Sequence, residues 1–136
     1  MSLFNVFNVT GSAMSAESVR LNTTSSNLAN ANSVSSSATE TYKARHPVFA
    51  AELNRFQQGA SVPVQVKGIV ESQKPLRAEY NPEHPMANAD GYIYKPNVNV
   101  MEEMANMISA SRSYQTNVEV AEASKQMLMR TLQMGK

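Results

Sequence analysis

The sequence predicts an α+β protein: long N- and C-terminal helices that pair as a coiled coil, with a small β-rich middle region between them. Three observations carry this expectation. Large apolar residues recur every seven positions at both ends of the chain. All six prolines fall between Pro47 and Pro96, which leaves both ends free for long helices. Only 17% of residues are charged, below the roughly 25% of an ordinary soluble protein. Serine, asparagine and threonine make up 36 of the 136 residues instead. A surface of that kind is suited to being covered by protein.

Residues 1–32 read as the first helix. Phe7, Met14, Leu21 and Leu28 keep strict seven-residue spacing, with Gly11, Ser18 and Ser25 between them. That narrow stripe is the seam of a coiled coil, not the broad face of a helix lying on a globular core. Glu17 and Arg20 are the only charges in the segment. Asn, Ser and Thr are mediocre helix formers, so this helix needs a partner to persist. Residues 33–41 are a low-complexity polar run, expected as a mobile loop.

Residues 42–96 form the β-rich middle. Alternating runs predict strands at Val48–Leu53, at Val62–Val66 continuing to Ile69-Val70, at Leu76–Tyr80 and at Tyr92–Tyr94. Turns are expected at Gln58-Gly59, Asn81-Pro82, His84-Pro85 and Asp90-Gly91. So short a region predicts one small twisted sheet with a thin core.

Residues 97–136 read as the second helix. Asn99 is the expected N-cap, with Glu102 three residues on as its capping-box partner. Two heptad rows follow: Val100, Met107, Tyr114, Ala121, Leu128, and Met104, Ser111, Val118, Lys125, Leu132. Met101, Ile108 and Met129 widen the apolar surface, and six of the nine methionines lie here. Methionine repacks readily, which suits contact with more than one neighbour. The expected subunit-packing positions are therefore Phe7, Met14, Leu21, Leu28, Val100, Met104, Met107, Tyr114, Val118, Leu128 and Leu132.

Several functional classes are excluded. With no cysteine, disulfides and thiolate chemistry are absent. A net charge of +1 does not support nucleic-acid binding, and no apolar run is long enough to insert in a membrane. No basic residue precedes Arg20, which argues against a cleaved signal peptide. His46 and His84 are isolated before prolines, Asp90 is the only aspartate and marks a turn, and Glu71, Glu79 and Glu83 read as solvated acids. No catalytic, cofactor-binding or metal site is expected.

Certain stretches resemble a known family. The run from Ser26 to Ser33, with Asn27-Leu28-Ala29-Asn30 at its heart, resembles the motif shared by bacterial flagellar rod and hook proteins. Residues Ser109 to Val120 are similar to that family's C-terminal helix. Gly91-Tyr92, Pro96-Asn97-Val98-Asn99-Val100 and Glu103-Met104 are most similar to proteins of the proximal rod. The resemblance covers about residues 3–34 and 90–133; it departs at 33–41 and 54–88. It implies a non-enzymatic structural subunit of the proximal rod of the flagellar basal body, polymerising through its terminal helices to transmit torque and support motility. Implied partners are other copies of the chain, other rod proteins and the flagellar type III export apparatus, with Leu3 to Phe7 a candidate export region. The implied location is the rod in the periplasmic space, reached without a cleaved signal peptide. The competing expectation is a secreted two-helix coiled-coil adaptor that recruits a factor such as a peptidoglycan-remodelling enzyme. Asn27 and Asn30 are expected either to cap the first helix or to bridge to a neighbouring subunit.

Overall fold

The computed structural model describes residues 3–52 and 62–135. Helix α1 spans Leu3–Asn30 and helix α2 spans Val100–Met134, about 42 and 52 Å at 1.5 Å per residue. Between them lie β1 (Arg45–Ala51), β2 (Val64–Glu71), β3 (Arg77–Tyr80) and β4 (Tyr92–Lys95). The chain is α+β, as the sequence predicts.

α2 starts where its cap requires. Asn99 Oδ1 accepts from Met101 N at 3.2 Å, and Asn99 O accepts from Glu103 N at 3.0 Å. Glu102 pairs instead with Lys74, at 3.8 Å. α1 ends by bonding its own last carbonyls: Ala31 N donates to Leu28 O and Ser33 N to Asn30 O.

Among the described residues the middle forms two two-stranded sheets, where the sequence predicts one small sheet. β1 pairs with β2. Glu52 N donates to Pro63 O at 2.9 Å and Ser72 N to Ala44 O at 2.7 Å, so the two segments run antiparallel. β1 begins three residues earlier than the alternation suggested, because Arg45 is held as a strand residue by bonds described below. The end of the expected first strand at Leu53 and the Gln58-Gly59 turn lie outside the described residues.

β3 and β4 are antiparallel, with Arg77 opposite Lys95 and Tyr80 opposite Tyr92. The Tyr80 and Tyr92 rings meet edge to face, centroids 5.3 Å apart. Their connection closes at Gly91, whose φ of 78° is left-handed; a Cβ there would lie 2.9 Å from Tyr80 Cε2. Asn88 Oδ1 organises the turn, accepting from Asp90 N and Tyr92 N.

The Ser-rich stretch has no helix or strand, yet it is tied down. Ser35 and Tyr94 exchange backbone hydrogen bonds at 3.1 and 2.9 Å. The buried Thr41 hydroxyl bonds Ser35 Oγ and Ser37 O. Side-chain hydroxyls supply an internal scaffold that composition alone concealed.

The chain resolves into two compact units. One comprises Met1–Leu21, Pro47–Gly68 and Ile108–Lys136; the other comprises Asn22–His46 and Ile69–Met107. Among the described residues of the first unit, those buried are small: Thr10, Ala16, Ala110 and Ser124. In it, the amide of Val64 donates to Ser12 Oγ at 3.1 Å. The second unit buries Thr23, Thr24, Asn27, Thr41, Ala44, Ile93, Val98 and Glu103.

Candidate functional site

A concentrated arrangement of polar side chains lies in the second unit, around the backbone of Ala44 and Arg45. Asn27, on the last two turns of α1, has no solvent exposure. Its Oδ1 accepts from Arg45 N and from the Tyr42 hydroxyl, both at 2.9 Å, and its Nδ2 donates to Arg45 O at 2.8 Å. One amide side chain thus replaces a strand partner for Arg45, satisfying both its backbone groups. Ser26 Oγ lies 3.2 Å from the same Tyr42 hydroxyl.

Asn97, three residues before α2, acts on the next residue. Its Oδ1 accepts from Ala44 N at 2.8 Å, and its Nδ2 donates to Lys74 O at 2.7 Å. Ala44 O accepts from Ser72 N. Two asparagines from opposite ends of the chain therefore grip two adjacent residues of the middle. Ala44 is 3% exposed, so only a small side chain fits beneath them.

Charged pairs also lie in this unit. The Arg45 guanidinium stands 5.5 Å over the Tyr42 ring and 3.5 Å from Glu71. His46 Nδ1 lies 4.0 Å from the buried Glu103 carboxylate. Lys95 pairs with Glu79 across β3 and β4. His84 Nδ1 accepts from Met86 N in a turn. Among the described residues no group of three or more metal-ligating side chains gathers, and no helix is long and apolar enough to cross a membrane. The arrangement can position helices and strands; nothing in it is set to activate a nucleophile.

Within the chain Asn27 bonds Tyr42 and Arg45 in place of the last carbonyls of its own helix. Asn30 does bond locally, its Nδ2 donating to Ser26 O at 2.8 Å, one turn back. Leu28 is half-buried and Ala29 exposed. Sequence reasoning missed Asn97 and Tyr42 as partners. The signal available was the Asn97 motif residue itself, which lies too early to cap α2.

The heptad positions divide. Phe7, Met14, Leu21, Leu28, Met107, Val118 and Leu128 are half-buried; Val100, Met104, Tyr114 and Leu132 are exposed. On α2 the deepest row is Glu103, Ala110 and Ser124, with Asn117 half-buried between them, one residue before the Met104 row. Small and polar residues fill this row, so a search for large apolar ones passes over it. On α1, Asn8, Gly11, Ser15, Ser18, Asn22, Ser25 and Ala29 alternate at three- and four-residue spacing and are all exposed and uncharged.

Long helices at both termini, with exposed uncharged and apolar rows along them, describe a structural protein built to assemble. Residues 7–35 match the family model described as flagella basal body rod protein, and residues 89–134 match that described as flagellar basal body rod FlgEFG protein C-terminal. The chain is 46% identical over 135 residues to the flagellar basal-body rod protein FlgC of Escherichia coli O6:H1, covering 99% of each. It is 45% identical to that of Salmonella typhimurium, again over 99% of each chain. With FlgC of Buchnera aphidicola subsp. Baizongia pistaciae it shares 35% identity over 137 residues. The chain belongs to the FlgC family of flagellar basal-body rod proteins and is a structural subunit of the proximal rod.

Proposed function

We propose that the chain works mechanically: its two terminal helices pair, and the pair locks against other copies and related rod proteins so that motor torque passes along the axis. The subunit-packing set is the one read from the sequence, divided by role. Half-buried Phe7, Met14, Leu21, Leu28, Met107, Val118 and Leu128 hold the helices of one chain together. Exposed Val100, Met104, Tyr114 and Leu132 meet neighbours. The chain travels unprocessed through the flagellar type III export apparatus to the periplasmic part of the basal body. No catalytic step is involved.

The exposed apolar surface of α2 carries this reading. Met101 is 76% exposed, Ile108 55% and Leu132 63%. Apolar residues ranged along one long helix mark a protein interaction site. Contacts of this head-to-tail type do not close on themselves, so neighbours of different identity must limit the number of copies.

Leu132→Asp tests it. The side chain is solvated in the lone chain, so stability should change by no more than about 0.5 kcal/mol. In the rod, a charge forced into an apolar contact costs several kcal/mol. Secretion should persist while incorporation into basal bodies and swimming are lost. Normal swimming by cells carrying only Leu132→Asp would remove that helix surface from the assembly.

A further inference from the structure

We infer that the β3–β4 turn of one copy docks in a polar cavity of the next, where Glu83 of the first copy meets Lys43 of the second. The inference rests on the reading of the chain as a rod subunit that meets other copies of itself. It adds a contact between middle regions to those made by the helices.

The cavity lies in the second unit, beside the end of α1, and has a volume of about 470 Å³. That is within the roughly 300–1,000 Å³ of ordinary ligand sites. Its walls are hydroxyl and charged groups, among them Ser33, Thr39, Thr41, Lys43, Arg45 and Glu71. Most of these are already engaged. Thr41 bonds Ser35 and Ser37, Ser33 Oγ donates to Asn30 O, and Arg45 pairs with Glu71 at 3.5 Å. Lys43 differs. It is half-buried, yet among the described residues it takes part in no ion pair. An ammonium partly withdrawn from water is stabilised by an acceptor of opposite charge. The exposed Glu40 also lines the cavity, which disfavours a polyanion and leaves a single carboxylate as the fitting occupant.

The chain itself carries such a group. On the turn from Asn81 to Gly91, Glu83 and Asp90 are exposed and, among the described residues, outside any ion pair. The backbone beneath them is held by its own bonds. Asn81 N donates to Gly91 O, His84 N to Asn81 O and Ala87 N to His84 O, while Met86 N donates to His84 Nδ1. Pro82 and Pro85 fix φ on either side of Glu83 and His84. A turn already ordered in the free chain loses little entropy on docking. Glu83 has the longer side chain of the two acids and stands between the prolines, so it is the one assigned to Lys43. The exposed acids Glu119 and Glu122 lie along α2, and a helix about 10–12 Å across does not enter a cavity of this size.

Turn and cavity are different surfaces of one chain. The contact is therefore heterologous, running from copy to copy without closing.

Because the chain contains no cysteine, introduced thiols report alone. Copies carrying Lys43→Cys and copies carrying Glu83→Cys are expressed together, basal bodies are purified, and a bismaleimide about as long as the two replaced side chains is added. The mixture should give cross-linked dimers of the chain, and a chain bearing both substitutions should give a ladder. Lys67→Cys, on exposed residues of β2, should give no dimer with Glu83→Cys. Independently, Lys43→Glu and Glu83→Lys should each lower the number of basal bodies about tenfold by bringing like charges together, and the double exchange should restore it. No dimer in basal bodies that hold both cysteine variants, equal cross-linking from Lys67→Cys, or failure of the double exchange to rescue overturns the docking. The rod reading is judged separately, by finding the wild-type chain in purified basal bodies. A chain that incorporates without cross-linking defeats the docking alone.

Discussion

Replacing Asn27 by alanine removes three hydrogen bonds from a side chain with no solvent exposure. Arg45 N and Arg45 O both lose their partner, at about 1 kcal/mol each for half-buried backbone groups. The Tyr42 hydroxyl retains Ser26, so its loss is smaller. Alanine returns up to about 0.7 kcal/mol of helix propensity. The net destabilisation should be about 1.5–2 kcal/mol. Asn30→Ala is the internal control. It removes one bond to a carbonyl of its own helix, and the propensity gain offsets most of that loss. Its net effect should lie within about 0.5 kcal/mol of zero. Urea unfolding of the unassembled protein, followed by helical circular dichroism, reads both from the midpoint at constant slope. If Asn27→Ala matches wild type, or Asn30→Ala costs as much as Asn27→Ala, the clamp is not what holds residue 45.

Two further substitutions probe backbone and surface. Gly91→Ala places a Cβ 2.9 Å from Tyr80 Cε2 and 3.2 Å from Pro82 Cβ, at a left-handed φ of 78°. It should destabilise the β3–β4 hairpin by about 1–3 kcal/mol, seen as a lower melting temperature; an unchanged one refutes the assigned strain. Gly11→Ala meets nothing within 4 Å and replaces a poor helix former on the exposed row of α1. The unassembled protein should be more stable by about 1 kcal/mol of helix propensity, and an unchanged urea midpoint would refute this.

Much of the fold was legible because its signals are local. Asn99 was readable as a cap from its position before a heptad run, and Asp90-Gly91 as a turn from its φ requirement. The partner of Glu102 was not, because Lys74 is distant in sequence and a capping box considers only neighbours. The start of β1 at Arg45 escaped for the same reason: it is set by Asn27 and Asn97, neither of which the alternation of residues 45–51 can reveal. The row at Glu103, Ala110, Asn117 and Ser124 was invisible to hydrophobic periodicity. Side chains that permit close approach carry no apolar signal. The motif around Asn27 was recognised, but its chemistry needed the fold, since an amide can serve a helix end, a neighbour or a distant backbone with equal ease.

Asn27 and Asn97 grip the main chain of residues 44 and 45, and every residue except proline offers the same main-chain groups. The grip is blind to the Arg45 side chain, which is free to change without loosening it. Only the bulk at Ala44 and the two gripping amides are fixed. A middle region secured in this way can diversify in composition, drift and acquire new outward contacts while its attachment to the helices stays constant. Evolution thereby gains a fixed fastening for a variable part.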